Sequence, residues 1–328
     1  MIDITKGRYW DLPWSLVDGC TPCSPGCDHC WSANIRHRFE GGLTKDGFVP
    51  HTLTNVYGTF NGYIKTHPER LSIPLKRRRP TVYAVWNDLF HEAVPWTFQN
   101  EAYGVMLEPS NHTYLILTKR PGIMFEHLLK INIPDMPPNI WHGLTVCNQQ
   151  EADEKIPVFL QVPGKKFLSI EPMLGPVNLS DIVVKEGPGS EWHFSALKCD
   201  VYPEDDQVFH GDNLSAVILG GETSLGARPM HPDWVRSVRD QCTLAGVPFF
   251  FKEWGEWQRS MDYYNKYQKN FKGVELYLSA DGQTFTEENY MLPKQGTTYA
   301  MAKIGRKESG RLLDGRTHDD LPWATKER

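Results

Sequence analysis

The chain of 328 residues has no apolar run long enough to cross a bilayer. Its first residues, MIDITKGRYW, contain no apolar signal segment. Neither absence fits a membrane-spanning or exported chain, so the expected location is the cytoplasm. There is no positive surplus either: 35 basic residues face 40 acidic ones, for a net charge of −5. Such a balance supplies no general attraction for nucleic acid and leaves only local patches. Cysteine is sparse outside one stretch. Cys147, Cys199 and Cys242 are scattered and read as reduced core or surface thiols, because nothing marks the chain as secreted.

The other four cysteines fall within eleven residues, Cys20-Thr21-Pro22-Cys23-Ser24-Pro25-Gly26-Cys27-Asp28-His29-Cys30. Two triads are possible. Cys23, Cys27 and Cys30 are spaced C-x3-C-x2-C, and Cys20, Cys27 and Cys30 are spaced C-x6-C-x2-C. Either triad puts three thiolates on one short loop, enough to hold three irons of a four-iron cluster and leave the fourth open to a ligand. Pro22, Pro25 and Gly26 suit a loop that folds tightly around such a group. A structural zinc is the main competing reading, but zinc ligands come in pairs with a long spacer, and the two C-x2-C pairs here are only three residues apart. A disulfide knot ranks last.

With 40% hydrophobic and 12% aromatic residues, the chain can build a large core. WSANIRHRF (31–39) has helical character, and residues 41–80 look irregular. Apolar, β-rich runs then alternate with helical patterns. The runs are 81–87, 113–119, 140–146, 165–172, 215–221 and 248–254. The helices are 95–108, 121–131, about 150–161 and 232–246. Continuous apolar strands alternating with helices predict a buried parallel sheet. With a first unit around the cysteine loop, the expected fold is α/β: a full or partial TIM-like (β/α) barrel over residues 1–254. Residues 186–214 read as an insertion with the character of a lid, and 255–328 as a small hairpin-containing C-terminal extension.

Chemistry in parallel β/α proteins gathers at the C-terminal ends of strands. Those ends are Trp86-Asn87-Asp88, Thr118-Lys119-Arg120, Thr145-Val146-Cys147, Glu171-Pro172, Gly220-Gly221-Glu222 and Lys252-Glu253-Trp254. Gly220 and Gly221 would let a ligand approach the backbone, and Glu222 could hold an ammonium or ribose hydroxyl. Asn87, Asp88, Glu171 and Lys252 complete the candidate cofactor-binding set. Lys119 and Cys147 are candidate catalytic residues, Cys147 as a radical relay, although a buried small thiol is the plainer reading. Arg120, Arg228 and the basic run Lys76-Arg77-Arg78-Arg79 are candidate phosphate contacts; a salt bridge and a solvated turn are the plain alternatives for Arg120 and the run. His91 and His112 read as core or cap histidines.

The C-x3-C-x2-C spacing resembles the cluster loop of radical S-adenosylmethionine (SAM) enzymes. More closely, the chain resembles a phage-borne family with a three-cysteine motif, distantly similar to spore photoproduct lyase. The matching segments are GCTPCSPGCDHCWS, WNDLFHEAVP, HTYLILTKRP, NIWHGLTVCNQ, FLSIEPMLGPVNL, VILGGETSLGARPMHPDWVRSVRDQC, GVPFFFKEWG and GRLLDGRTHDDLP. They run in the family's order over most of residues 9–328. The family's C-x6-C-x2-C pattern maps to Cys20, Cys27 and Cys30, with Cys23 standing where an apolar residue is usual and Cys147 where an acidic one is expected. The resemblance implies a barrel of the radical SAM type and a [4Fe-4S] cluster whose open iron binds SAM. It implies reductive cleavage to a 5′-deoxyadenosyl radical, with an electron from an external donor, and hydrogen abstraction from a substrate. Its phage association implies a phage-infected or prophage-bearing host cell and a nucleobase of DNA or a nucleotide as substrate. A hypermodified thymine rearranged or cleaved by radical chemistry would be such a substrate. The alternative from another class is a non-catalytic nucleic-acid-binding protein stabilised by iron–sulfur or zinc.

Overall fold

The computed structural model describes residues 2–44, 47–187, 190–198, 212–273, 275–286, 289 and 296–324. Seven parallel strands form one sheet in strict chain order: β1 (Leu12–Pro13), β2 (Val82–Val85), β3 (Thr113–Thr118), β4 (Ile140–Thr145), β5 (Lys165–Ile170), β6 (Ala216–Gly220) and β7 (Phe249–Glu253). Strictly sequential parallel strands curl the sheet into a half-barrel with β1 and β7 as its two edges. The barrel is therefore partial. Both faces are apolar, as expected of parallel strands covered on both sides. Tyr83, Val85, Tyr114, Ile116, Leu168, Ile170, Val217, Leu219 and Phe251 pack outward with the helices. The alternate residues Val82, Leu115, Trp141, Phe167, Ala216, Ile218 and Phe250 form a separate inner cluster.

Helices α1 (Trp31–Glu40), α2 (Trp96–Leu107), α3 (Pro121–Ile131), α4 (Gln149–Phe159) and α5 (Pro232–Ala245) follow β1, β2, β3, β4 and β6. Their ends follow local chemistry. The helix α3 starts on Pro121, whose missing N–H costs nothing in a first turn. The helix α5 has His231 as its N-cap and stops at Gly246, in the left-handed region. After β5 the alternation breaks. An antiparallel hairpin, Ile182–Gly187 with Ser190–Phe194, stands where a helix is expected. It packs beside α4, with Val183 N donating to Asp153, and buries Ile182 and Phe194 in the outer core. A lid would cover the strand ends, so this part of the insertion is a layer of the core instead. Residues 188–189 and 199–211 of the insertion lie outside the described residues, as does Cys199.

The C-terminal segment carries a four-stranded antiparallel sheet, in spatial order Trp257–Arg259, Thr298–Lys303, Glu275–Ser279 and Thr284–Phe285. Its tail then returns to the half-barrel. Phe251 N donates to His318 O, and Trp323 lies against Trp141 and Phe167 while its indole N–H donates to Tyr9 O at 2.8 Å. Leu321 and Trp323 fill the inner face of the sheet together with Tyr9. No helix among the described residues is long and apolar enough to cross a membrane.

Candidate functional site

A cavity of about 920 Å³ opens at the C-terminal ends of the strands. The cysteine loop forms one wall, because it is the connection between β1 and α1. Cys20, Cys27 and Cys30 line the cavity, while Cys23 is exposed and does not. The loop is seated from several sides. Cys20 and Cys30 pack on Ala33, Leu53 and Phe60. Gly26 N donates to Ser24 Oγ in the short 3-10 turn Pro25–Cys27. His91 Nε2 lies 2.8 Å from Thr21 Oγ1. A methyl group on Gly26 would sit 2.5 Å from Cys147 Sγ and 3.1 Å from Pro172, so the loop rests directly on those two residues.

Of the sequence-derived candidates, Asn87, Asp88, Lys119, Arg120, Glu171, Gly221, Glu222 and Lys252 line the same cavity. Several of their polar groups are already engaged. Asn87 donates to Val17 O and accepts from Ser32, which ties β2 to α1. Asp88 accepts from Thr118 Oγ1 at 2.6 Å and from Arg120 at 2.8 Å. Arg120 is buried. It also pairs with Glu92 at 2.9 Å, donates to Thr21 O at 3.0 Å and lies 3.8 Å from Cys20 Sγ. It therefore steadies the loop and has no free fork for a phosphate. Glu222 is buried, with both oxygens held by Arg228 at 2.7 to 3.0 Å. Arg228 in turn grips Asp28 at 3.0 Å and Pro25 O at 2.8 Å. This clamp ties the end of β6 to the cysteine loop, so the structure gives Arg228 a loop contact in place of a phosphate.

Gly220 lies within β6 and does not line the cavity, and Gly221 is needed for another reason than ligand approach. A methyl group on Gly221 would meet Trp254 O at 2.0 Å. Cys147 lies behind the loop, fully buried, 3.6 Å from Ser24 Oγ, and is not among the cavity-lining residues. Arg77 and Arg78 line a separate basin with Leu12, Ile73 and Tyr83 at the N-terminal ends of β1 and β2, across the sheet from the cysteine loop. His112 caps that turn through Pro74 O and Arg77 O.

Two groups on the cavity floor stand out. Thr145 Oγ1 is buried and has no hydrogen-bond partner among the described residues. A buried hydroxyl without a partner at a cavity wall is a position for a ligand atom. Lys252 Nζ pairs with Glu171 Oε1 at 2.6 Å, and Tyr9 Oη and Ser169 Oγ donate to the other carboxylate oxygen.

The electrostatics single out one thiol, Cys27, as acidic. Burial works against the charge of the Lys119 ammonium, yet the nearby sulfurs of Cys27, Cys147, Cys30 and Cys23 together raise its pKa. A hydrogen bond from Cys23 holds the Cys27 thiol down to about 5, against burial and with help from Lys119. Burial pushes Cys20 and Cys147 up to about 11 and raises Cys30. In metal-free protein, iodoacetamide should therefore alkylate Cys27 at a rate that rises through about pH 5 and is level by neutral pH. Cys20 should stay slow until well above neutral pH. Peptide mass spectrometry across pH reads both; a Cys27 midpoint in the ordinary thiol range would contradict the assigned hydrogen bond.

The seat of the loop has its own test. Gly26→Ala should lift the loop and lower Tm by several degrees, whereas Cys147→Ala should leave the loop in its seat. The double variant should recover part of the loss, because removing Cys147 Sγ vacates the space the methyl needs. A Tm equal to the parent's in Gly26→Ala would show that the seat does not control the loop.

Among the described residues no three His, Cys, Asp or Glu side chains are already drawn together as a metal-ion site. The donor chemistry nonetheless suits a thiolate-bound group: three cavity-lining thiols, one of them acidic, beside the buried Arg120 and the half-buried Lys119. Sequence reasoning did not reach Tyr9, Trp31, Arg8, Ser169, Arg306 or Lys307 as cavity residues. The crowding of Tyr9, Trp10, Trp31 and Trp86 around the loop and the first strand ends was the available signal.

A family model described as "Protein of unknown function (DUF5131)" matches residues 4–322. No curated protein and no solved structure matches the chain.

Proposed function

The chain belongs to the DUF5131 family of proteins of unknown function, and from that premise we propose that it is a radical SAM enzyme. The observation that carries this reading is the opening of Cys20, Cys27 and Cys30 into one cavity with the C-terminal strand ends of a parallel half-barrel. Cys20, Cys27 and Cys30 would hold a [4Fe-4S] cluster; Cys20 is preferred to Cys23 because it lines the cavity and lies 3.8 Å from an Arg120 nitrogen, while Cys23 is exposed and does not line it. When bound, the cluster and SAM supply a 5′-deoxyadenosyl radical once an external donor provides an electron.

The residues of this chain do the remaining work. Lys119 offsets part of the negative charge of the thiolate-bound group, while Arg120, paired with Asp88 and Glu92, steadies the loop. Lys252 and Glu171 are an internal ion pair that the carboxylate and ammonium of an amino acid could exchange for, with Thr145 Oγ1 as a further donor. Asn87, Asp88, Gly221 and Glu222 shape the walls, and the Glu222–Arg228–Asp28 clamp fixes the loop. The half-barrel and the tail behind it shield the cavity floor from water. The substrate in this reading is a nucleobase, of DNA or of a nucleotide, with a modified thymine as the leading candidate.

The test is metal content. Anaerobic reconstitution should give a brown protein with iron and sulfide in the ratio of one four-iron cluster per chain. Stoichiometric zinc without iron would overturn the proposal in favour of a zinc-stabilised binding protein.

A further inference from the structure

Three tryptophans on the cavity wall take no part in holding the cluster or an amino acid. Trp10 precedes β1, Trp31 follows Cys30 directly, and Trp86 follows β2, and all three line the cavity. Trp86 is the hub. Its ring meets Trp10 edge-on at 5.4 Å, Trp31 at 6.2 Å and Tyr9 at 6.4 Å. Trp31 nonetheless remains 50% exposed beside the thiols. An exposed indole face at a cavity wall is a stacking surface for a planar ring.

The rim above this wall is basic although the chain is acidic overall. Arg8 lies 5.6 Å over the Trp10 ring and is exposed. Lys307, from the C-terminal segment, also lines the cavity. Among the described residues neither is in an ion pair, whereas Arg306 and Arg311 are tied to Glu253 and Asp319. Two cations outside any ion pair among the described residues, in a cavity with an aromatic wall, match one base and its neighbouring phosphates.

We propose that the Trp10–Trp31–Trp86 wall and the Arg8 and Lys307 rim bind a single-stranded nucleic acid segment, one base stacked on Trp31 and Trp86 and the adjacent phosphates on Arg8 and Lys307. The inference rests on the nucleobase reading above and gives it a specific seat. It also assigns the C-terminal segment a role as half of the phosphate clamp. The basic run at 76–79 is no part of it, because that run lies across the sheet from the cysteine loop.

The experiment is fluorescence anisotropy with a labelled thymidine strand of about ten nucleotides, on full-length protein as isolated and after anaerobic reconstitution. Binding should weaken with salt, by about 0.7 in logarithmic slope per phosphate contacted. Arg8→Ala with Lys307→Ala should flatten the slope by about twice that amount. Trp31→Ala should weaken binding about tenfold or more with the slope unchanged, and Trp31→Phe should restore most of it. Arg77→Ala with Arg78→Ala should bind like the parent. Unaltered binding in both the Trp31→Ala and the Arg8/Lys307 variants would overturn the inference. So would thymidine monophosphate binding as tightly as the strand, or a Trp31→Ala variant that loses SAM affinity and keeps the strand. Iron content is read separately. A protein that binds the strand but holds zinc sinks the radical reading alone, and one that loads a cluster but binds no strand sinks this inference alone.

Discussion

Cys27→Ala and Cys30→Ala are each expected to remove the cluster entirely, and Cys20→Ala to do the same, while Cys23→Ala keeps a full complement of iron. Cys27 and Cys30 belong to both triads that the sequence allows. For the third position Cys20, which lines the cavity 3.8 Å from an Arg120 nitrogen, is favoured over Cys23, which is exposed and does not line it. Loss of Cys23 should still be felt, since its hydrogen bond keeps Cys27 acidic. Reconstitution of the Cys23→Ala variant should therefore be slower at low pH but reach the same end point. Iron and sulfide assays on the four variants read the outcome. A Cys20→Ala protein with a full cluster, beside a Cys23→Ala protein with none, would hand the site to the shorter spacing.

Arg120→Met is expected to be the most destabilising of the single changes in the cavity. Arg120 and Asp88 are both buried and 2.8 Å apart, and the same guanidinium reaches Glu92 and Thr21 O. Removing it leaves Asp88 charged and without its cation. Breaking such a buried pair costs about 3–5 kcal/mol. In a chain of this size that lowers Tm on the order of 10 °C. Arg120→Lys should recover little, because an ammonium cannot span Asp88, Glu92 and Thr21 together. Calorimetry of the metal-free proteins isolates the effect from cluster loading. A Tm within a degree or two of the parent would mean that the network contributes little.

How much of this was legible beforehand varied with the range of the interaction. The six long strands announce themselves as apolar runs, and Pro121 and Gly246 mark helix ends that the structure reproduces within a residue or two. The first strand does not, because Leu12–Pro13 is two residues long and exists only by pairing with β2. The hairpin after β5 was hidden for a similar reason: its place beside α4 is fixed by tertiary contacts such as Val183 with Asp153. Most of the strand-end residues line one cavity, but their partners within it were not legible. For Arg120 the plain alternative to a phosphate contact was a salt bridge to a barrel carboxylate such as Glu171. The structure instead pairs Arg120 with Asp88 and Glu92, and Glu171 with Lys252. Both choices obey charge complementarity, and only the fold's geometry separates them. The tail of the chain is the extreme case, where Trp323 meets the Tyr9 backbone across 314 positions of sequence.

The central claim, that these thiols support SAM cleavage, is tested most directly by one product. The anaerobically reconstituted protein would be mixed with SAM and dithionite and assayed by mass spectrometry for 5′-deoxyadenosine. The expected result is 5′-deoxyadenosine in excess over the protein, absent without dithionite and absent in Cys27→Ala. No 5′-deoxyadenosine from a protein that carries a full four-iron cluster would contradict the claim.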